Sequence, residues 1–140
     1  MLLDTQVLSE LRKIRLGRAD RHLAAWAAGV HARDLHVSVI TLQEIEQGIL
    51  QLQRRDPVQS APLRHWLEAQ VRPLLAPRTL LVTAEIALRC AQLKVPDPRP
   101  FRDGLIAATA WAHGLTVVTR NEADLAGTGV ALLNPWHGHP

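Results

Sequence analysis

Acidic side chains follow several short hydrophobic segments of this 140-residue chain. Asp4 follows the apolar start, Glu44 comes shortly after a β-rich run, and Asp103 lies early in a helical segment. Further polar side chains follow a later apolar run: Asn121, Glu122 and Asp124. Mg²⁺ takes oxygen ligands, and once bound it can activate a water molecule and stabilise charge on a phosphodiester. The pattern therefore indicates metal-dependent hydrolysis.

Carboxylates that meet in one place need a cation between them. Two carboxylates ~4 Å apart repel by roughly 4 kcal/mol at an effective dielectric of 20. A divalent cation removes this penalty, whereas helix caps have no reason to crowd together. No serine or cysteine with a matching histidine stands out at the same positions. Metal binding is therefore the chemistry that these acids favour.

Each acid also has a purely structural explanation. Asp4 is suited to cap the following helix, and Thr41 with Glu44 matches a capping box. Asp103 would be favoured near a helix N-terminus by the helix dipole alone. Asn121 followed by Asp124 also resembles a cap with an acid three residues later. For each acid taken alone, the structural role is the favoured explanation. A shared site is favoured only when Asp4, Glu44, Asp103 and the Asn121–Asp124 segment are considered together.

The elements that must position these acids alternate between strands and helices. We predict strands at residues 2–3, 36–40, 79–82, 115–119 and 130–133. Helices are predicted at residues 7–15, 20–32, from 41 onward, 63–75, 84–93 and 101–113. Such alternation is typical of βαβ units and a mainly parallel five-stranded sheet. Ligands bind such sheets beyond the carboxyl ends of the strands, which is where the acids follow.

The composition agrees with one soluble domain. Hydrophobic residues make up 47% of the chain and charged residues 21%, so disorder is not expected. Cys90 is the only cysteine, which suits a reducing, cytoplasmic location. No apolar run approaches the ~20 residues that span a bilayer, and we expect neither a membrane partner nor a secretory signal. The net charge of +3 is only weakly informative about an anionic partner.

Four segments of the chain resemble the motifs of PIN-domain toxins of the VapC type, in its FitB-like branch. The resemblance runs in register from Leu2 to Trp136. Its segments are Leu2–Leu11, Ser38–Ile49, Phe101–Ala110, and Thr119–Leu125 together with the ending Leu133–Trp136. Four motifs in the right order make the resemblance specific.

The resemblance implies a single PIN domain over residues 1–136 and a short C-terminal tail at 137–140. This domain is a three-layer α/β/α sandwich around the sheet. The resemblance also implies a Mg²⁺-dependent endoribonuclease, with Mn²⁺ as a possible substitute, that acts as the toxin of a type II toxin–antitoxin system. The implied partners are an RNA substrate, a cognate VapB-type antitoxin and a second copy of the chain.

By position in the motifs, Asp4, Glu44 and Asp103 are the implied catalytic and metal-binding acids. Either Asn121, as a neutral oxygen ligand, or Asp124 completes the site. Gln6 departs from the asparagine that is usual after the first Asp-Thr, and Asn121 stands where some relatives carry an acid. Contacts to phosphate or water are assigned to Thr5, Thr119 and Arg120.

Two other functions agree with the sequence. A catalytically silent PIN-fold module would act by binding an antitoxin and nucleic acid, because Gln6 and Asn121 depart from the pattern. A phosphatase would use Asp4 as a covalent nucleophile, but Lys13 and Lys94 are the only lysines and neither is expected near it.

Two groups outside the motifs have ordinary explanations as well as functional ones. The cations at 12–21 (Arg12, Lys13, Arg15, Arg18 and Arg21) suit either RNA phosphates or a solvated surface. Three tryptophans at core-like helical positions (Trp26, Trp66 and Trp111) are interpreted as packing or dimer contacts. The pair His137 and His139 lies at the terminus, where fraying is expected rather than metal binding.

Overall fold

Five short strands alternate with helices in the computed structural model, which describes residues 1–137. The strands are β1 (Leu2–Leu3), β2 (Val37–Ser38), β3 (Thr79–Leu80), β4 (Val117–Val118) and β5 (Leu132–Leu133). The α-helices are α1 (Thr5–Arg12), α2 (Arg21–Ala28), α3 (Val39–Arg55), α4 (Pro57–Trp66), α5 (Arg72–Leu75), α6 (Ala84–Leu93), α7 (Phe101–His113) and α8 (Glu122–Leu125). A π-helical segment at Leu67–Val71 joins α4 to α5. Residues 138–140 of the predicted tail, including His139, lie outside the described residues.

The strands form two parallel sheets rather than one. One sheet has the order β1-β4-β5, and the other pairs β2 with β3. A single bridge between Leu2 and His36 joins them, with the Leu3 N–H donating to the His36 carbonyl at 2.9 Å. The predicted five-stranded sheet is therefore wrong, although the α/β class and the parallel direction are confirmed. The strands are too short to pair further, because α1 and α3 begin almost directly after β1 and β2.

Alternate strand residues face two separate hydrophobic cores. Leu3, Val37 and Val118 are buried in one core with apolar residues of α1 to α5. Leu2 and Val117 are buried in the other core, with residues of α7 and α8. Successive side chains of a strand point to opposite faces, so β1 and β4 each contribute one residue to each core. Helices thus cover both faces of the strands.

Helix α3 begins earlier than the sequence pattern predicts. Val39 and Ile40 were expected to end a strand because they are β-branched, but they form the first turn of α3. Ser38 is the N-cap, and its Oγ accepts the Ile40 N–H at 3.0 Å. The cap gives the Ile40 N–H an acceptor within its own segment, whereas in a strand this N–H would need an acceptor on a neighbouring strand. The predicted helix start at Thr41 is therefore wrong.

Other helices differ less from the prediction. The predicted ranges of α6 and α7 are confirmed, and Gly114 ends α7 with the left-handed φ of 63°. Helices α1 and α2 are shorter than predicted. The helix predicted at 63–75 begins earlier, at Pro57, because Asp56 caps it: the Asp56 side chain accepts the Gln59 N–H. None of the helices in residues 1–137 combines the length and apolar composition that crossing a membrane requires.

Candidate active site

Asp4 lies at the junction of β1 and α1, where it is held by backbone and side-chain donors. It is the N-cap of α1, and its Oδ1 accepts the Thr5 N–H at 2.7 Å. Because β1 pairs with β4, the residue after β4 lies beside it, and the Thr119 Oγ1 donates to Asp4 Oδ2 at 2.8 Å. The side chain is only 1% exposed. Asp4 is therefore a cap, as its structural alternative predicted, but it also has a buried partner on β4.

Glu44 points toward α1 rather than back to its own helix end. Because Ser38 caps α3, Glu44 lies in the second turn, and the predicted capping box with Thr41 does not form. The Thr5 Oγ1 donates instead to Glu44 Oε1 at 2.5 Å. The capping role expected for Glu44 is therefore wrong. Its carboxylate is instead bonded to Thr5, the residue that follows Asp4 in the chain.

Asp103 is the third residue of α7, whose N-cap is Pro100 and makes no side-chain capping bond. The residue is 7% exposed, so its carboxylate is largely removed from water. Burial of a carboxylate is costly unless a cation or hydrogen-bond donors compensate it. The helix dipole alone does not account for a buried acid, and the compensating group is its neighbour in sequence.

Arg102 is that group, and it links all three acids. Its Nη1 donates to Asp103 Oδ1 at 3.0 Å, and its Nε lies 2.8 and 3.0 Å from the two Glu44 carboxylate oxygens. Its Nη2 forms an ion pair with Asp4 Oδ1. Three carboxylates from three distant segments thus converge on one cation. Sequence reasoning missed Arg102, and the only signal for it was a basic residue directly beside a predicted ligand.

Three carboxylates are the donors that this site offers to a divalent cation. Within residues 1–137, no group of three or more His, Cys, Asp or Glu side chains lies in ligating geometry as it stands. The guanidinium of Arg102 lies between the three carboxylates. The donors are all carboxylate oxygens, which suit hard cations such as Mg²⁺. The chemistry of the site therefore fits the cation, provided that Arg102 leaves.

The two candidates for a fourth ligand lie outside the hydrogen-bond network of Arg102. Asn121 is exposed, and its backbone N–H donates to Thr119 Oγ1 at 3.0 Å, while its side chain makes no capping bond to α8. Asp124 is exposed on α8, and its carbonyl accepts from Arg99 Nη1 at 3.4 Å. The side-chain cap expected of Asn121 is therefore wrong, and the choice between the two stays a prediction.

Arg120 follows Thr119 and packs against an aromatic ring. Its guanidinium carbon lies 5.1 Å from the centre of the Trp136 ring, in cation–π geometry. The Asn134 Nδ2 donates to its carbonyl at 3.3 Å, which ties this loop to the end of β5. The residue is exposed at the same strand end as the acids. Its predicted contact with phosphate is untested.

A groove of about 320 Å³ continues from the acids between α1 and α3. Thr5 and Glu44 line its end at the site, and Arg12 and Lys13 line it further along. The remaining cations of the basic segment, Arg15, Arg18 and Arg21, are exposed and do not line this groove. The structure therefore divides the basic segment into two residues beside the site and three outside the groove.

The three tryptophans differ in their burial. Trp66 is buried in the larger core, and Trp26 packs against that core while partly exposed. Trp111 is 46% exposed, and the Arg89 guanidinium carbon lies 4.8 Å from its ring centre. Trp111 therefore does not lie in a core, and the alternative that it makes a dimer contact stays a prediction.

Comparison with known proteins agrees with this geometry. Residues 1–128 match the PIN domain family. The chain is 34% identical over 143 residues to the toxin FitB of Neisseria gonorrhoeae, covering 98% of this chain and 99% of the relative. It is 33% identical over 144 residues to the VapC ribonuclease Y4jK of Sinorhizobium fredii, covering 97% of each.

The fold is also similar to a solved structure. The crystal structure of FitAcB from Neisseria gonorrhoeae matches with a TM-score of 0.86 and 33% identity, over 97% of this chain and 98% of that one. Fold, spacing of the acids and sequence identity over nearly the whole chain lead to one conclusion. The chain belongs to the PIN-domain family, and its relatives there include the FitB and VapC toxins.

Proposed function

We propose that the chain is a Mg²⁺-dependent endoribonuclease that serves as the toxin of a toxin–antitoxin pair. The observation that carries the proposal is the convergence of Asp4, Glu44 and Asp103 on a single cation. These residues come from β1, α3 and α7, so a local structural role for each does not explain why they meet. Mn²⁺ would bind the same oxygen donors.

The three acids would hold the divalent cation, and either Asn121 or Asp124 would complete its ligands. The chemistry supplied by a bound Mg²⁺ is activation of a water molecule and neutralisation of charge on the phosphodiester. Thr119 and Thr5 orient the carboxylates, since each hydroxyl donates to one oxygen of Asp4 or Glu44. Outer hydrogen bonds of this kind fix the direction in which a ligand oxygen points.

The RNA strand would be held by cations on either side of the acids. Arg120 lies exposed after β4, while Arg12 and Lys13 line the groove between α1 and α3. Arginine suits phosphate because its planar fork donates two parallel hydrogen bonds. The VapC ribonuclease Y4jK, a relative over nearly the whole chain, supports RNA as the substrate.

The partners follow from the same relatives. The relative FitB is a toxin, and the similar solved structures include FitAcB from Neisseria gonorrhoeae and DNA-bound VapBC from Salmonella typhimurium. We infer a VapB-type antitoxin for this chain as well, and a homodimer located in the cytoplasm. An antitoxin that covers the acids would block access of RNA to them.

The test is RNA cleavage by the purified protein. We expect cleavage with Mg²⁺, loss of cleavage with EDTA, and loss with Asp4→Asn, which keeps the shape of the side chain but removes its charge. Asp97→Asn is the matched control, because Asp97 is an exposed acid in the loop before α7. Equal cleavage in all four samples would overturn the proposal, and no cleavage in any would favour a silent binding module.

A further inference from the structure

We propose that Arg102 is the resident cation of the acidic site, so that a divalent cation enters only as the guanidinium leaves. The identity of the incoming ion rests on the proposed function. The role of Arg102 in the metal-free protein does not, because it rests on contacts that the structure contains.

Arg102 bonds at least one oxygen of each of the three acids. Its three guanidinium nitrogens reach Oδ1 of Asp4, Oδ1 of Asp103 and both oxygens of Glu44. The remaining Asp4 oxygen, Oδ2, already accepts the Thr119 hydroxyl. A metal ion that used the oxygens bonded by Arg102 would therefore have to replace the guanidinium rather than bind beside it.

The charges explain why this position holds an arginine. Three carboxylates that meet without a cation repel one another strongly, and two of them, Asp4 and Asp103, are buried. Arginine stays protonated at any relevant pH, and its fork of donors can reach several carboxylates at once. With the guanidinium the formal charge of the cluster changes from −3 to −2. The metal-free site is thus compensated, but not neutralised.

Part of the Arg102 side chain lies at the surface of the site. The Arg102 side chain is 28% exposed, and the side chains of the acids it bonds are 1% (Asp4), 11% (Asp103) and 33% (Glu44) exposed. Its long stem can swing outward while α7 and Asp103 stay in place, because rotation about side-chain bonds needs no backbone change. Arg102 would therefore act as a gate for cations and as a positioning residue for the carboxylates.

This dual role predicts two effects of opposite sign in Arg102→Gln. Without the guanidinium the carboxylates repel, so in EDTA the melting temperature should fall by about 3–8 °C. The divalent cation then meets a cluster of charge −3 with no competitor, so calorimetric titration with MgCl₂ should show binding about tenfold tighter or more. A residue with a purely structural role would lower stability and weaken metal binding together.

Two further variants sharpen the test. Arg102→Lys keeps the charge but cannot donate to three carboxylates in a fork, so both effects should be intermediate. Arg72→Gln makes the same charge change at an exposed position, where Arg72 pairs with the exposed Glu68 at 3.6 Å, and it should alter neither quantity beyond experimental error. All four proteins would be measured at the same ionic strength, because exposed charges are screened by salt.

A measurement on the wild type protects the test against a variant that fails to fold. The Arg102 Nε–H signal, assigned by its absence in Arg102→Lys, should be protected from exchange in EDTA and lose that protection as MgCl₂ is added. Mg²⁺ binding that leaves this signal unchanged would overturn the inference, as would Arg102→Gln with unaltered stability or weaker Mg²⁺ binding. Failure of the wild type to cleave RNA would refute the proposed function and leave these readouts intact.

Discussion

The Thr119 hydroxyl donates a hydrogen bond to Asp4 across the β1–β4 pair, with 2.8 Å between Oγ1 and Oδ2. The two residues are 115 positions apart in the chain. Both side chains are buried, so this bond has no water to replace it. The same Thr119 oxygen accepts the backbone N–H of Asn121 at 3.0 Å. One hydroxyl therefore fixes both an acid of the site and the loop that carries a candidate fourth ligand.

We expect Thr119→Val to reduce RNA cleavage by roughly 10–100-fold, the usual cost of removing an outer hydrogen bond from a metal ligand. It should also lower the free energy of unfolding by about 1–3 kcal/mol, because a buried carboxylate oxygen loses its donor. Urea unfolding and a cleavage assay measure the two effects. Thr109→Val is the matched control, since the buried Thr109 hydroxyl bonds only the Leu105 carbonyl within its own helix. Cleavage by that control should persist.

Glu44 and Glu46 provide a second matched pair, two residues apart on α3. Glu44→Gln should reduce cleavage by more than the roughly 10–100-fold expected for an outer contact, because it removes a charged oxygen from the site itself. Glu46 forms an ion pair with Arg64 of α4 instead, so Glu46→Gln should leave cleavage unchanged and cost little stability. Similar losses of cleavage in both variants would contradict the assignment of Glu44.

Gly104 of α7 packs closely against Cys90 of α6, and an added methyl group tests this contact. A Cβ at Gly104 would lie 2.7 Å from the Cys90 Sγ, so Gly104→Ala should destabilise the α6–α7 contact by about 1–3 kcal/mol. Gly48→Ala in α3 meets open space and should stabilise the helix by about 0.5–1 kcal/mol. In Gly104→Ala, the additional change Cys90→Ala should recover part of the loss. Additive losses in the double variant would show that the two side chains do not clash.

The sequence predicts those features that depend on residues near one another in the chain, and it misses those that depend on distant segments. The bounds of α6 and α7 are set by local patterns, because apolar spacing marks both helices and Gly114 marks the end of α7, and the structure confirms them. The start of α3 was missed because the Ser38 cap outweighs the β propensity of Val39 and Ile40. The number of strands per sheet depends on a single bridge at His36, which no local pattern specifies.

The candidate site shows the same division. The sequence predicts Asp4, Glu44 and Asp103 because these acids follow predicted strands or lie early in a helix, and the structure places them around one cation. Arg102 could not be selected in this way, since its role depends on three segments that only the fold brings together. The parts played by Asn121 and Asp124 stay predictions for the same reason, because a metal ligand is defined by geometry around the ion.

The groove beside the acids leads to a final prediction about RNA binding. Arg12 lines the groove that begins at Thr5 and Glu44, whereas Arg18 is exposed outside it. In an Asp103→Asn background, which prevents cleavage, Arg12→Ala should weaken binding of a single-stranded RNA. It should also reduce the slope of log K against log salt by about 0.7, the value for one lost phosphate contact on a single strand.

Arg18→Ala removes the same charge from the same basic segment and should leave that slope unchanged. The measurement is fluorescence anisotropy at several salt concentrations in EDTA. If Arg12→Ala and Arg18→Ala reduce affinity and slope equally, the segment attracts RNA only by its general charge. The RNA strand then does not follow the groove between α1 and α3.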